Sequence, residues 1–183
     1  RRHTQEVIIL DCQDIRGDIE DVLHNFVNLL KTYDLYQLLA QPRLNANIMT
    51  PLSVLIEAKQ QIFVILPEQY TRHMILQTYN RSDVLRSKWF NRSHVDELSK
   101  LLYDDLVSLN DLNSKLIIAQ GVLTPGNTEI SLSIMSGRSL KSDIRNTNEM
   151  MKSVILRAGV PCCLMVDFIE EGSLHDIIEL NFR

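Results

Sequence analysis

Four short apolar runs interrupt an otherwise mixed pattern of polar and apolar residues along this chain. Each run is rich in β-branched or aromatic residues and is apolar at consecutive positions, which is typical of strands that are covered by helices on both faces of a parallel sheet. The predicted strands are residues 6–11, 61–66, 115–123 and 162–168.

Between these runs, apolar positions recur with the period of a helix. One predicted helix follows Asp18, which suits an N-cap, and a second opens at Ser93, where Asp96 completes a pattern like a capping box. A third covers residues 140–156 and a last one begins at residues 172–173. The predicted order of elements is therefore β-α-β-α-β-α-β-α.

This alternation predicts an α/β fold with a parallel sheet and right-handed crossovers. Four βα units are half of an eight-stranded barrel, which typically needs about 250 residues. The alternative is a small, complete, doubly wound domain. The segments 33–49 and 67–92 have no clear period. Because the second of them follows a predicted strand directly, we expect it on the carboxyl side of the sheet, where α/β proteins bind ligands.

Composition excludes several classes of protein for this chain. A length of 183 residues suits one domain, and 19 Lys and Arg against 23 Asp and Glu leave a formal charge of −4, which argues against a general nucleic-acid binder. The apolar runs are too short to span a bilayer. Three irregularly spaced cysteines exclude a disulfide framework and a zinc site built from cysteine pairs, and they favour a reducing compartment.

The first residues, Arg1-Arg2-His3, include no initiator methionine and lead into a predicted strand within a few positions. We interpret the sequence as a piece of a longer chain, so that a targeting segment would lie upstream. The expected location is cytoplasmic or at a membrane periphery, and secretion stays open.

Several kinds of chemistry have no motif in the sequence. No glycine-rich phosphate loop follows a predicted strand, no histidine pair has a metal-binding spacing, and there is no G-x-S-x-G elbow. The five histidines are scattered along the chain. His24 and His94 fall on predicted helices, and we interpret both as solvated or structural residues.

Acidic residues at two strand ends are the strongest chemical signal that remains. Asp11 closes the first predicted strand and Asp167 closes the last. A carboxylate at the carboxyl end of a buried strand points toward the catalytic face of a barrel. Such a group either accepts hydrogen bonds from loop amides, or it orients a histidine or contacts a polar ligand. Both interpretations stay open at this point.

Residues 71–92 form a predicted basic loop that also contains Trp89 and Phe90. The segment contains a single acidic residue, Asp83. Its basic residues are Arg72, Arg81, Arg86, Lys88 and Arg92. One interpretation is contact with an anionic headgroup or a membrane surface. The other is that Trp89 pins the loop to the barrel while the charges are solvated. Triplets at Asn80 and Asn91 match the glycosylation sequon, which matters only in a secreted chain.

The cysteines are interpreted as packing residues. Cys162 and Cys163 would point to opposite faces of a strand, so they are not expected to bond to each other, and both are predicted to lie in the core. Cys12 is predicted to be a small packing residue rather than a nucleophile.

Four segments together carry a resemblance to a known family. Taken in order, they resemble the C-terminal half of the X domain of phosphatidylinositol-specific phospholipases C, and most of all the small eukaryotic X domain-containing proteins that lack a Y half, C2 and EF-hand modules. The resemblance covers nearly the whole chain. The segments are EVIILDCQD (6–14), QIFVIL (61–66), KLIIAQGVLTP (115–125) and CLMVDFIEEGSLHDIIELN (163–181).

The most specific parts of this resemblance are short. They are the first strand, the turn at Leu123-Thr124-Pro125 and the V-D-F sequence around Asp167. The sequence Trp89-Phe90-Asn91 is similar to a W-x-N element of the family. Their order and spacing together carry the likeness, since none is a catalytic signature alone.

The resemblance implies a TIM-like barrel of the phospholipase C type, with residues 1–183 as the C-terminal part of a single X-like domain. It implies phosphodiester cleavage in which the inositol 2-hydroxyl is the internal nucleophile, one histidine is the general base and a second is the general acid. Asp167 matches the late aspartate that orients one of these histidines in the bacterial enzymes. The two histidines belong to the first half of the domain, upstream of Arg1.

The sequence also departs from the family pattern. After the aspartate of the first strand, family members often have an aromatic residue, an Asn and a His, where this chain has Cys12, Gln13 and Asp14. Gln13 still donates and accepts hydrogen bonds, whereas an ionised Asp14 cannot donate. The difference bears on substrate preference more than on the fold.

We therefore expect a phosphoric diester hydrolase that acts on phosphoinositide-like lipids in lipid metabolism or signalling, with the 183 residues inactive by themselves. Asp167 is the expected catalytic-support residue. The residues expected to contact the substrate are Asp11, Gln13, Trp89 and Asn91.

The expected partners follow from the same reading. They are a phospholipid headgroup or another phosphodiester, with peripheral membrane contact and without nucleic acid. Calcium stays open as a cofactor, and no metal site is evident in the sequence.

The main alternative to the enzyme is a catalytically degenerate X domain that binds lipid headgroups or proteins. A third reading is a complete small α/β binding domain of another family.

Overall fold

The structure is a computed structural model, and it describes residues 5–42, 47–71, 78–109, 114–136 and 140–167. All structural statements below concern these residues. The chain divides into two compact units. The first comprises described residues within Arg1–Leu85 and Asn113–Leu116, and the second comprises those within Arg86–Leu112 and Ile117–Arg183.

The first unit is built on a three-stranded sheet in the order β1-β2-β3, and both strand pairs are parallel. Its elements in chain order are β1 (Ile8–Asp11), α1 (Ile19–Thr32), a 3₁₀ turn (Tyr36–Leu38), α2 (Leu52–Glu57), β2 (Ile62–Leu66), α3 (Glu68–Thr71), β3 (Tyr79–Asn80) and α4 (Arg81–Val84). The register pairs Ile8 with Ile62 and Ile65 with Tyr79. The carboxyl ends of β1 and β3 therefore meet at one edge of this sheet.

Helix α1 covers one face of the first sheet. It begins as the sequence predicts, because the Asp18 carboxylate accepts hydrogen bonds from the backbone N–H groups of Glu20 and Asp21 at 3.0 and 3.1 Å. Its apolar side packs on the alternate residues of β2 and on Leu10 and Cys12, which flank Asp11. The buried residues of this cluster are Leu23, Val27, Leu30, Leu39, Ile62, Val64 and Leu66.

The second unit contains most of a sheet in the order β4-β5-β6. Its elements are β4 (Leu85–Ser87), α5 (Val95–Val107), β5 (Leu116–Gln120), α6 (Asn127–Ser136), α7 (Leu140–Ala158) and β6 (Cys163–Met165). Strands β5 and β6 are parallel, with Gln120 opposite Met165. Helices α5 and α7 cover one face, around the buried residues Leu98, Leu102, Leu106, Ile117, Ala119, Met151 and Val154.

The α/β class with parallel strands is confirmed, whereas the strand count is wrong. The described residues form six strands, because the segment 67–92 contains β3, α4 and β4 where the sequence shows no period. These two strands have two and three residues, too few to display a period of two. The predicted strands at 115–123 and 162–168 are also shorter, since the paired residues stop at Gln120 and Met165.

The prediction that all four apolar runs are buried on both faces holds only for β2, whose five residues are all buried. In β1, Ile8 and Ile9 are 45% and 40% exposed, and in β6, Met165 is 49% exposed. The physical reason is position in the sheet, because β1 and β6 are at the ends of their strand orders whereas β2 is central.

The predicted start of α5 is also wrong. His94 is its N-cap and no side chain caps the helix, so Ser93 and Asp96 form no capping box. The Ser93 side chain is instead close enough to the Glu129 carboxyl to help lower its pKa, for which the backbone N–H of Glu129 is the larger cause.

Two further predictions concern the last helices. The predicted helix over 140–156 is confirmed as α7, which ends before Gly159 at a φ of 63°. The last predicted helix, from residue 172, lies outside the described residues. No helix within the described ranges has both the length and the apolar character needed to cross a membrane.

Candidate functional site at the carboxyl ends of the strands

Each sheet brings polar side chains together where its strands end. In the first unit these residues are Asp11, Gln13 and Arg81, which we call the first polar edge. In the second unit they are Ser87, Gln120 and Asp167, which we call the second polar edge. Ligand sites of parallel α/β proteins lie at carboxyl ends of strands, so both groups are candidates for a site.

The first polar edge is an ion pair supported by an amide. Arg81 donates from Nε to both carboxylate oxygens of Asp11, at 2.9 and 3.2 Å, and the Gln13 side-chain amide donates to Asp11 Oδ2 at 2.7 Å. The Arg81 and Asp11 side chains are 24% and 18% exposed. The predicted residues Asp11 and Gln13 are thus brought together, and the arginine that joins them was not predicted as a site residue.

Arg81 keeps further donors for another group. Its Nε engages Asp11, while its two terminal nitrogens have no hydrogen bond to any described residue. Asn80 accepts from the backbone N–H of Ser82 and so caps α4, and Lys115 donates to the Ser82 carbonyl at 2.6 Å. Two cations therefore lie close to the start of α4, and the first polar edge can accept an anionic or hydroxylated group through Arg81.

The second polar edge lies on the face of its sheet opposite α5 and α7. Ala119 packs in the core with these helices, and a Cβ atom on Gly121 would meet Met151 of α7, so Gln120 between them points to the other face. The Gln120 amide nitrogen donates to the Ser87 hydroxyl. Because Ser87 and Gln120 are the last residues of β4 and β5, this bond joins the ends of two neighbouring strands.

Asp167 extends this edge from the third strand. It lies two residues beyond the end of β6, and its neighbour Val166 packs against the core under α5 and α7, so the Asp167 side chain is on the same face as Gln120. The expectation that Asp167 closes the strand therefore needs a small correction, since the paired residues end at Met165. Within the described part of the chain, the Asp167 carboxylate accepts no hydrogen bond and forms no ion pair.

Asn148 of α7 holds the backbone of Asp167 in place. Its side-chain Nδ2 donates to the Asp167 carbonyl at 2.8 Å, and the residue is only 7% exposed. Beyond the end of a strand, no ladder bond constrains the chain, so this contact substitutes for one. It leaves the carboxylate of Asp167 unconstrained by hydrogen bonds to described residues.

Buried oxygen atoms without a partner occur at the second polar edge and elsewhere in the second unit. Gln120 is 9% exposed, and its Oε1 accepts no hydrogen bond from a described residue. The same holds for two atoms outside this edge, Asn148 Oδ1 and Thr124 Oγ1. A buried carbonyl oxygen without a donor carries a desolvation cost of about 1–3 kcal/mol. Such atoms call for an explanation, and a bound donor is one of the few available.

Trp89 and Asn91 lie in the second unit, on the segment between β4 and α5. Trp89 is 50% exposed, so it does not pin the segment as a buried anchor would, and Asn91 is exposed with a φ of 51°. Neither has a hydrogen bond that joins it to the second polar edge. The structure therefore leaves their expected contact with a substrate as a prediction.

The predicted basic loop is not a set of free charges. Arg81 pairs with Asp11, Arg86 and Lys88 reach Asp105 Oδ1 at 2.6 and 3.5 Å, and Arg92 reaches Glu97 at 3.5 Å. Arg72 lies outside the described residues. Carboxylates therefore pair with these four cations, but Arg86, Lys88 and Arg92 stay 41%, 59% and 45% exposed, and contact of the loop with an anionic headgroup or a membrane surface stays a prediction.

Burial distinguishes the cysteines, and all three thiols are free. Burial raises the pKa of Cys162 to about 11, with the neighbouring Cys163 as a second cause, and burial followed by the charge of Asp11 raises that of Cys12. These values suit packing thiols rather than nucleophiles. Cys163 is exposed, so the prediction that it lies in the core is wrong.

Neither described histidine lies at the end of a strand. His24 is exposed on α1, where its Nδ1 contacts the Glu20 carbonyl at 2.9 Å, and His94 is the N-cap of α5. The remaining histidines, His3, His73 and His175, lie outside the described residues. Across the ranges that the structure describes, no group of three or more His, Cys, Asp or Glu side chains could hold a metal ion.

The sequence contained a signal for one residue that the prediction missed. Gln120 is the polar residue that ends the apolar run LIIAQ, so it occupies the same kind of position as Asp11. Ser87 and Asn148 had no such signal. Ser87 lies in β4, which has three residues and is too short to show a period. Asn148 lies on α7, which the sequence predicts only from its apolar positions.

Comparisons with known proteins do not identify a family. No protein-family model matches the chain, and searches of curated proteins and of solved structures give no match either.

Proposed function

We propose that this chain contributes the aspartate side of a phosphodiesterase site of the phosphatidylinositol-specific phospholipase C kind. In this proposal the two sheets belong to a TIM-like barrel. The observation that carries it is the position of Asp167: a carboxylate at the carboxyl end of a parallel strand, on the face opposite the helices and without a described partner. The resemblance of the sequence supports the same residue.

The reaction requires groups beyond this chain's described residues. The inositol 2-hydroxyl oxygen would bond to phosphorus while a histidine takes its proton. The bond from phosphorus to the diacylglycerol oxygen would break, and a second histidine would protonate that oxygen. Asp167 would accept a hydrogen bond from one imidazole N–H, which selects its tautomer and stabilises its protonated form. The products are a cyclic inositol phosphate and diacylglycerol.

The test is Asp167→Asn in the protein that supplies both histidines, with hydrolysis of phosphatidylinositol as the assay. The substitution keeps the size of the side chain and removes its charge. We expect kcat to fall about 10²-fold or more, as for a disabled acid–base group, with KM little changed. Asp104→Asn, on the exposed side of α5, is the matched control and should keep full activity.

An unchanged kcat together with a lower melting temperature would reject this role and leave Asp167 as a loop anchor. The 183-residue chain alone should show no turnover, because it would lack the acid and the base. Turnover by that chain at the rate of the longer protein would contradict the proposal outright.

A second candidate is a binding module for lipid headgroups that has no catalysis. It is favoured by Arg81, whose terminal nitrogens have no hydrogen bond to a described residue and could bind a headgroup phosphate without any acid or base. Sedimentation with phosphatidylinositol vesicles, without hydrolysis in the longer protein, would support this candidate over the enzyme.

A further inference from the structure

Asn148 of α7 is a buried amide of which only half is paired. Its Nδ2 donates to the Asp167 carbonyl at 2.8 Å, whereas its Oδ1 is buried and accepts no hydrogen bond from a described residue. Because a backbone carbonyl can only accept, the nitrogen of this amide must face Asp167 and its oxygen must face away. The side chain therefore uses its donor and buries its acceptor at a cost in stability.

The backbone that Asn148 contacts lies past the last paired residue of β6. The Met165 carbonyl accepts from the Gly121 backbone N–H at 2.9 Å, and the Val166 side chain packs against the core of the second unit. Within the described part of the chain, the next polar contact along this backbone is the one from Asn148. The carbonyls of Met165 and Asp167 are therefore both held, the first by β5 and the second by α7.

These two contacts together fix the direction of the Asp167 side chain. Peptide units are planar, so only φ and ψ of Asp167 can change the direction of its Cα–Cβ bond relative to the sheet. Packing of Val166 limits φ, and the bond from Asn148 to the carbonyl limits ψ. The carboxylate is therefore kept on the face opposite the helices although it has no hydrogen bond of its own to a described residue.

The same contact adds little to the stability of the fold. Leucine is close to asparagine in shape, and at position 148 it would remove the unpaired Oδ1 together with the donor. Asp167 is half-buried, so water can replace the amide at its carbonyl. An apolar side chain at position 148 would therefore suit the fold at least as well as asparagine does.

We infer that Asn148 is a positioning residue of the candidate site, whose Nδ2 holds the Asp167 backbone and so orients the Asp167 carboxylate for the reaction. The inference rests on the proposed function for the role of that carboxylate, and it adds a helix residue that touches neither substrate nor reacting atoms. A catalytic group that is displaced by about 1 Å can lose about 10²-fold in rate. Loss of Asn148 should therefore lower turnover without lowering stability.

The first experiment compares Asn148→Leu with the wild-type 183-residue chain. NMR relaxation measures the order of the Asp167 backbone N–H, and thermal melting followed by circular dichroism measures stability. We expect the order parameter of Asp167 to fall from about 0.85 to below about 0.6, with the melting temperature unchanged or raised. Thr147→Val is the matched control on the same helix. Thr147 is 1% exposed and has a partner, so this change should lower the melting temperature and leave Asp167 ordered.

The second experiment measures phosphatidylinositol hydrolysis by the protein that supplies both histidines. Asn148→Leu should lower kcat at least about tenfold and change KM by less than about twofold, because it leaves the substrate contacts intact. Combined with Asp167→Asn, the same change should cause no further loss of kcat, since Asn148 acts only through Asp167.

An Asp167 N–H that stays ordered in Asn148→Leu would overturn the inference, and so would a kcat equal to that of the wild type. A further loss of kcat in the double variant would also contradict it, because Asn148 would then act elsewhere. A lower melting temperature with full kcat would make Asn148 a structural residue.

The inference and the proposed function fail separately. If Asp167→Asn lowers kcat and Asn148→Leu does not, the proposed function stands and the positioning role falls. If Asp167→Asn leaves hydrolysis unchanged while Asn148→Leu disorders Asp167, the catalytic role of Asp167 falls and Asn148 remains the residue that orders this backbone.

Discussion

At the scale of single residues, neighbouring thiols differ sharply in environment. Cys162 packs against the core under α5 and α7, whereas Cys163 is exposed on the other face of β6. Burial raises the pKa of Cys162 to about 11 from an ordinary value of 9.0. A pKa that is two units higher reduces the thiolate fraction of Cys162 about a hundredfold at pH 8.

We therefore expect iodoacetamide at pH 8 to alkylate Cys163 first and Cys162 at least about a hundredfold more slowly. Peptide mass spectrometry over a time course measures both rates. Equal alkylation rates would contradict the burial of Cys162.

The raised pKa of Cys162 also makes the free energy of unfolding depend on pH. Because the thiol ionises at a lower pH in the unfolded chain than in the folded one, its contribution to the free energy of unfolding is complete below about pH 9 and is lost between about pH 9 and pH 11.

At the scale of elements, α7 packs against β5 through a position that only glycine can occupy. A Cβ atom on Gly121 would lie 2.6 Å from Met151 Cγ, 3.1 Å from Met151 Cβ and 3.3 Å from Leu164 Cδ1. Met151 is fully buried, and these are atoms near its backbone, so it cannot simply turn aside. The backbone of α7 or β5 would have to move.

Gly121→Ala should lower the free energy of unfolding by about 1–3 kcal/mol, the usual cost of an overpacked core. Urea denaturation followed by circular dichroism measures it. Gly126→Ala is the matched control, because its Cβ would meet only the end of the flexible Glu129 side chain, at 2.8 Å. An unchanged midpoint for Gly121→Ala would show that α7 does not lie close to β5.

At the scale of the whole molecule, both sheets end in partly exposed apolar strands. Among the described residues, β1 pairs only with β2 and β6 only with β5. Unpaired strand edges with exposed Ile8, Ile9 and Met165 favour pairing with another chain. We expect the 183-residue chain to associate in a concentration-dependent way, which sedimentation velocity measures.

Ile9→Lys should reduce this association, because a charged edge strand resists pairing. Leu132→Lys is the control, since Leu132 is 60% exposed but lies on α6 rather than on a strand. A chain that stays monomeric and unfolds in one cooperative transition would instead favour a complete small domain.

Periodicity and end signals were enough to predict the long elements. The helices α1, α5 and α7 each present enough residues to show a period, and Asp18 caps α1 as its type suggests. The central strand β2 is recognisable as a continuous apolar run, and all five of its residues are buried. Strand ends also identified Asp11, because an acidic residue that closes an apolar run must lie at an edge of the sheet. Local patterns succeed where the cause is local.

The remaining features depend on contacts between distant parts of the chain. Arg81 joins Asp11 across 70 positions, and Gln120 meets Ser87 across 33, and neither distance leaves a trace in local periodicity. Ser93 lies near the Glu129 carboxyl instead of capping α5, whose N-cap is the next residue, His94. Edge or central position likewise decides which apolar runs are buried. These choices belong to strand order and packing, which no short stretch of sequence encodes alone.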